Sequence, residues 1–145
     1  MKYPRLYHTL KTFVFSTIIF IALFYPIGLI HETGHAVICV SQGETFPWDW
    51  FFLKLSVVCD PLPSPPELFW SMGGIFGLVA SIIPIIIFKR IRTHRILLGG
   101  FVGSSVFQFL YAIAEGWLHY SYMGNDSPLF LSITIVVLFS IFYFS

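Results

Sequence analysis

The sequence predicts an all-α membrane protein of about four transmembrane helices, with a short membrane-associated strand or hairpin segment after the first. Two observations and one constraint carry that expectation. Of the 145 residues, 57% are hydrophobic and only 10% are charged, against roughly 25% charged in a soluble domain. Four stretches approach the about twenty apolar residues that a helical span needs, and none alternates as the strands of a membrane β-barrel do. A backbone in lipid must satisfy its own hydrogen bonds, which leaves helices.

The length suits one integral-membrane domain, residues 1–145, with spans near 12–40, 68–88, 96–118 and 128–144 and an interfacial segment at 44–66. The first span follows Lys2, Arg5 and Lys11. A basic start before an apolar run also resembles a signal peptide, but the run is long and lacks a small-x-small cleavage site, so a retained helix is expected. Pro26 and Gly28 predict a kink or a loosened turn within it. "SQGET" (Ser41 to Thr45) reads as its stop, with Gly43 in the terminating position.

The following "ETFPWDWFFLKLSVVC" (Glu44 to Cys59) is too short for a span and rich in aromatic and β-branched residues. It predicts one or two strands, or a re-entrant hairpin, at the membrane interface. An aromatic-belt loop without a catalytic part is the competing reading. "DPLPSPPE" (Asp60 to Glu67) is a stiff lead into the second span. Gly73 with Gly77, and Gly99 with Gly103, sit four apart where small residues let helices pack closely.

Charge placement gives a topology. Lys89, Arg90, Arg92 and Arg95 fill "KRIRTHR" between the second and third spans, whereas Lys54 alone lies in the first connection. The positive-inside rule then expects both termini and that basic connection in the cytoplasm. All seven acidic residues, Glu32, Glu44, Asp49, Asp60, Glu67, Glu115 and Asp126, fall in the outer half. Cys39 and Cys59 fall there too, where a disulfide is chemically possible; two unpaired, partly buried thiols are the plainer expectation.

Between Thr12 and Gly43 the sole carboxylate is Glu32, inside His31-Glu32-Thr33-Gly34-His35. This is the HExxH pattern. Residues four apart lie on one face of a helix, so both imidazoles can converge on one ion. Zinc suits imidazole nitrogen in a tetrahedral site. Glu32 is near enough to take a proton from the water that zinc acidifies, without being a ligand. Ionisable groups in a transmembrane helix cost on the order of 2.5–3.5 kcal/mol each, so they seldom persist without a role. The competing reading is a polar cap at the outer end of the first helix.

A catalytic zinc site needs a third protein ligand. The outer half offers Asp126 in "MGNDSP", Glu115 and His119 near the end of the third span, and Asp49 and Asp60 in the first connection. Ser104, Gln108, Tyr111, Glu115 and His119 follow steps of four, three, four and four, which puts them on one helical face. That stripe either orients the zinc-bound imidazoles or, for Ser104 and Gln108, bonds between helices.

An HExxH helix in the membrane, a Gly-containing stop and a strand-like segment together resemble the site-2 protease family of intramembrane zinc metalloproteases. "HETGHAVICVSQGETF" (His31 to Phe46) is similar to that family's zinc helix running into its β-region, and "SMGGIFG" (Ser71 to Gly77) to the helix packed beside it. The resemblance implies a minimal core that hydrolyses a peptide bond within or beside a membrane-spanning substrate. It implies Zn2+ held by His31, His35 and an Asp from a later helix, with Glu32 as the base and a nearby Asn assisting. Asp126 and Asn125 are the matching positions, with Glu115 the rival third ligand and Glu115 and His119 further groups around the metal. The family's Asp-Gly motif is absent; "GNDSP" stands in its place. The expected partners are a membrane-protein substrate and the lipid bilayer, with no nucleic acid. Competing functions are a non-catalytic metal-binding or scaffold membrane protein and, last, a small metal transporter.

Overall fold

The computed structural model describes residues 4–43, 48–51, 54–117 and 127–144, in the order α1 (Pro4–Ser41), β1 (Trp48–Phe51), β2 (Lys54–Val57), α2 (Pro66–Ile87), α3 (Lys89–Thr93), α4 (Arg95–Trp117) and α5 (Ser127–Phe144). Three helices are long and apolar enough to cross a membrane, over Leu6–Ser41, Pro66–Ile87 and Arg95–Gly116. The apolar run of α5, Phe130–Phe142, is shorter. A 22-residue helix such as α2 spans about 33 Å, enough for a ~30 Å hydrocarbon core.

Helix α1 runs unbroken through Pro26, so the expected loosening does not interrupt it, although the Ala22 carbonyl receives no N–H from the proline. The buried residues Thr9, Ser16, Phe20, Ile27, His31 and His35 are spaced by sevens and fours, which traces one helical face, and Ala36, Ile38 and Cys39 widen it at the end of the helix. Ile18, Ile21, Phe24 and Val40 are exposed, an outward apolar surface of the kind lipid covers. The helix ends as its composition predicts. Gly43 adopts φ +79°, and its N–H donates to the Val40 carbonyl at 3.0 Å.

Helix α4 is the central element, packed against α1, α2 and α5. Glycines set how close it comes. A Cβ on Gly74 would lie 2.5 Å from Ala112 Cα, and one on Gly103 would lie 2.9 Å from the Leu138 side chain. Ser16 Oγ donates to the Ile96 carbonyl at 3.0 Å, tying α1 to the start of α4. Much of "KRIRTHR" folds into the short helix α3, whose basic side chains are exposed.

The segment after α1 is an antiparallel hairpin, Trp48 pairing with Val57 and Phe51 with Lys54. Its exit is fastened to α1. Cys39 and Cys59 form a disulfide with Cα atoms 5.9 Å apart, which overturns the expectation of two unpaired thiols. Both sit in a buried cluster with Ala36, Ile38, Val57 and Phe69, so neighbouring apolar groups hold the two sulfurs within bonding range. The Gln42 side chain then accepts from the Ser64 N–H at 3.0 Å and donates to the Ser64 carbonyl at 2.9 Å. These contacts fold the proline-rich lead back over the end of α1 and bring α2 down beside it.

The glycine contacts make a matched pair of substitutions informative. Gly28 has nothing within 4 Å of an added Cβ, whereas Gly74 meets α4 backbone. Gly74→Ala should lower stability by about 1–3 kcal/mol through overpacking, while Gly28→Ala should be neutral or slightly stabilising. Thermal unfolding of both variants in one detergent checks this; equal midpoints would contradict the packing described.

Candidate metal centre

The two histidines of HETGH lie a turn apart on α1 and point into the bundle, where both are buried. Their ring orientations are set by acceptors on other helices. His35 Nδ1–H donates to the Phe69 carbonyl of α2 at 2.8 Å, and His31 Nδ1–H donates to Gln108 Oε1 of α4 at 2.9 Å. A carbonyl can only accept, so His35 must carry its proton on Nδ1. The same assignment for His31 leaves a lone pair on each Nε2.

Those two nitrogens face each other at 3.2 Å. Glu115 Oε2, reaching from α4, lies 3.4 Å from His31 Nε2 and 3.9 Å from His35 Nε2. It is buried and has no hydrogen-bond partner. Three electron-rich atoms thus converge in an apolar bundle. A metal cation bridging them, or a proton on one Nε2, resolves that arrangement. Ligands about 2.0–2.1 Å from a tetrahedral metal lie about 3.3–3.4 Å apart, which the 3.2 Å and 3.4 Å separations approach and the 3.9 Å one exceeds.

The space for an ion comes from a missing side chain. A Cβ on Gly73 would press against Nε2 of both His35 and His31, so this position of α2 closes the site with backbone alone. Gly34 has the complementary task on α1. Its Cβ would lie 2.5 Å from the Met72 carbonyl oxygen, so glycine inside the HExxH motif lets α2 come that near. The packing role expected of Gly73 is therefore only part of what it does. The rings of Tyr111 and Phe69 flank His31 and His35, with centroid separations of 5.7 Å and 4.8 Å.

Glu32 lies on the neighbouring face and is half-buried. Ligand atoms of His31, Glu32 and His35 all fall within 4.8 Å of one another, a grouping able to hold a metal ion. The two carboxylates differ in their partners. Glu32 Oε2 accepts from the Val57 N–H of β2 at 2.9 Å, whereas Glu115 Oε2 faces the imidazoles alone. Glu115 thus aims its oxygen at both imidazoles, while Glu32, which belongs to the grouping able to hold a metal, is held beside them by the hairpin.

The polar stripe of α4 faces this centre through Gln108, Tyr111 and Glu115. Ser104 is buried one turn below Gln108, with no hydrogen-bond partner for its hydroxyl. Asp126, Asn125, His119 and the side chain of Asp49 lie outside what is described, and Asp60 is not in the grouping around the imidazoles. The Phe69 carbonyl and the Val57 N–H escaped sequence reasoning because backbone groups carry no residue-type signal. Gly73 did carry one, in its spacing from Gly77, but that spacing fits ordinary helix packing equally well. No protein-family model matches the chain, and no curated protein or solved structure matches it either.

One methyl group on Gly73 would take up the space in front of the two imidazole nitrogens. Gly73→Ala should weaken binding of a divalent metal such as cobalt(II) on the order of 10–100-fold, a range typical of changes around metal ligands. Metal titration with helicity followed by circular dichroism checks this. Undiminished binding by a folded variant would place the ion elsewhere.

Proposed function

We propose that the chain is an intramembrane zinc metalloprotease of the site-2 protease type, hydrolysing a peptide bond within or next to a membrane-spanning substrate. The observation that carries this reading is the convergence of His31 Nε2, His35 Nε2 and Glu115 Oε2 within 3.9 Å of one another, with Glu32 beside them. The residues fit a zinc ion. Two neutral imidazoles and one carboxylate are a ligand set used by catalytic zinc. Glu115 Oε2 is otherwise orphaned, and Gly73 leaves the room.

His31, His35 and Glu115 would hold the ion, with Asp126 the competing third ligand from the sequence reading. When bound there, zinc supplies an acidified water and an electrophile for a carbonyl oxygen. The protein's own groups do the rest. The Phe69 carbonyl and Gln108 Oε1 fix both ring orientations and make the imidazoles stronger donors to a metal. Glu32 takes a proton from the attacking water and returns it to the leaving amine. The aromatic rings of Phe69 and Tyr111 flank the imidazoles, and a low local dielectric strengthens each of these interactions.

Charge placement supports a site toward the outer face with both termini cytoplasmic. The basic α3 lies at the opposite end of α2 from Phe69 and Gly73, which agrees with that orientation.

Two experiments separate the alternatives. Glu32→Gln should abolish cleavage of co-expressed single-span test proteins, a loss of at least ~100-fold, while keeping about one zinc per chain. Retained cleavage, or wild-type protein without stoichiometric zinc, would favour a non-catalytic membrane scaffold. Zinc content measured side by side in Glu115→Ala and Asp126→Ala decides the third ligand. Loss in Glu115→Ala alone is expected, and loss in Asp126→Ala alone would reassign it.

A further inference from the structure

We infer that strand β2, tethered to α1 by the Cys39–Cys59 disulfide, is a positioning device for Glu32, acting through the backbone N–H of Val57. The inference deepens the proposed reading, because it rests on Glu32 serving as the base. Two fastenings join the same pair of elements. Glu32 and Cys39 stand seven residues apart on α1, two turns along one face. Val57 and Cys59 stand two apart on β2 and its exit. The Val57 N–H reaches Glu32 Oε2 at 2.9 Å, and the disulfide closes the second link. Cys39, Val57 and Cys59 share one buried cluster with Ala36 and Phe69, so the strand is seated as well as tied.

The imidazoles have separate supports. His35 is held by the Phe69 carbonyl and His31 by Gln108, and Glu115 comes from α4. Among the described residues none of these hydrogen bonds or ion pairs is made by the hairpin, whose own hydrogen bond to the site goes to Glu32; Val57 otherwise packs in the cluster that includes Phe69. A Glu32 oxygen falls within 4.8 Å of the imidazole ligand atoms, close enough for an unrestrained carboxylate to be drawn onto the metal. A charge-assisted hydrogen bond from Val57 opposes that move and keeps the side chain a base. Opening the tether removes the restraint. Reduction by a dithiol breaks the S–S bond, delivers two electrons and two protons to the two sulfurs, and leaves the reagent as its own disulfide. The centre is thus competent when oxidised and mis-set when reduced.

The test uses the full-length protein in detergent with cobalt(II) alone as the probe. It compares the wild type before and after dithiol reduction with Cys39→Ser/Cys59→Ser, Glu32→Gln and Glu32→Ala. Exchange of the Val57 amide should quicken by about tenfold or more, the loss of one hydrogen bond to a charged group, in the reduced protein, the double serine variant and Glu32→Ala. Glu32→Gln, whose amide oxygen still accepts, should keep the protection. Cobalt should bind in every case. Its visible bands should weaken on reduction as a further ligand joins, but not when reduction is applied to Glu32→Ala. Unchanged Val57 exchange and an unchanged cobalt spectrum in the reduced protein would overturn the inference, as would loss of cobalt with the disulfide. Failure of cobalt to bind the oxidised wild type would instead defeat the metal reading, and Val57 exchange would still decide whether the tether holds Glu32.

Discussion

Two imidazole nitrogens with lone pairs facing each other across 3.2 Å, and a carboxylate oxygen facing both, form the constraint on which this structure turns. In water such a cluster would be screened and would drift apart. Inside an apolar bundle it is neither screened nor free to move, because each ring is pinned from behind by an acceptor on another helix. A buried carboxylate without a partner costs several kcal/mol, so Glu115 needs positive charge beside it, from a bound cation or from a protonated imidazole. Each of α1, α2 and α4 contributes one indispensable part of the arrangement.

Those parts meet because of what is missing from the helices as much as what is present. Gly34 lets α2 approach α1 at the level of the histidines, Gly73 opens the space in front of them, and Gly74 and Gly77 let α4 close in with Ala112 and Gln108. Without water between helices to squeeze out, close backbone approach is what holds a membrane bundle together. The same glycines therefore serve stability and the site. The hairpin belongs to a different layer of control, since among the described residues its hydrogen bond to the site goes to Glu32, while Val57 packs in the same buried cluster as Phe69 and the outer end of α1.

How much of this could be read in advance varied with the kind of group involved. HETGH announced itself, because two histidines and a carboxylate in an apolar helix are costly enough to imply a purpose. The α4 stripe was legible from its steps of three and four, and Gln108 and Glu115 do face the histidines. The pairing of Cys39 with Cys59 was not legible. Its closeness depends on the fold-back through Gln42 and Ser64 and on the cluster around Val57, contacts between segments far apart in the chain. Pro26 does not end α1, since a long helix held along one buried face absorbs the loss of a single hydrogen bond.

Taken by itself, the sequence determined a helical membrane protein, the helix that carries the imidazoles, and a carboxylate one residue along from the first of them. Each of those follows from local periodicity and from the cost of polar groups in lipid, which act within a single segment. Tertiary structure decided which carboxylate faces the rings, which backbone groups orient them, and that a glycine is the wall of the site. Such choices depend on how three helices cross. A crossing is set by where small residues allow contact, and many sequences with the same periodicity would cross elsewhere.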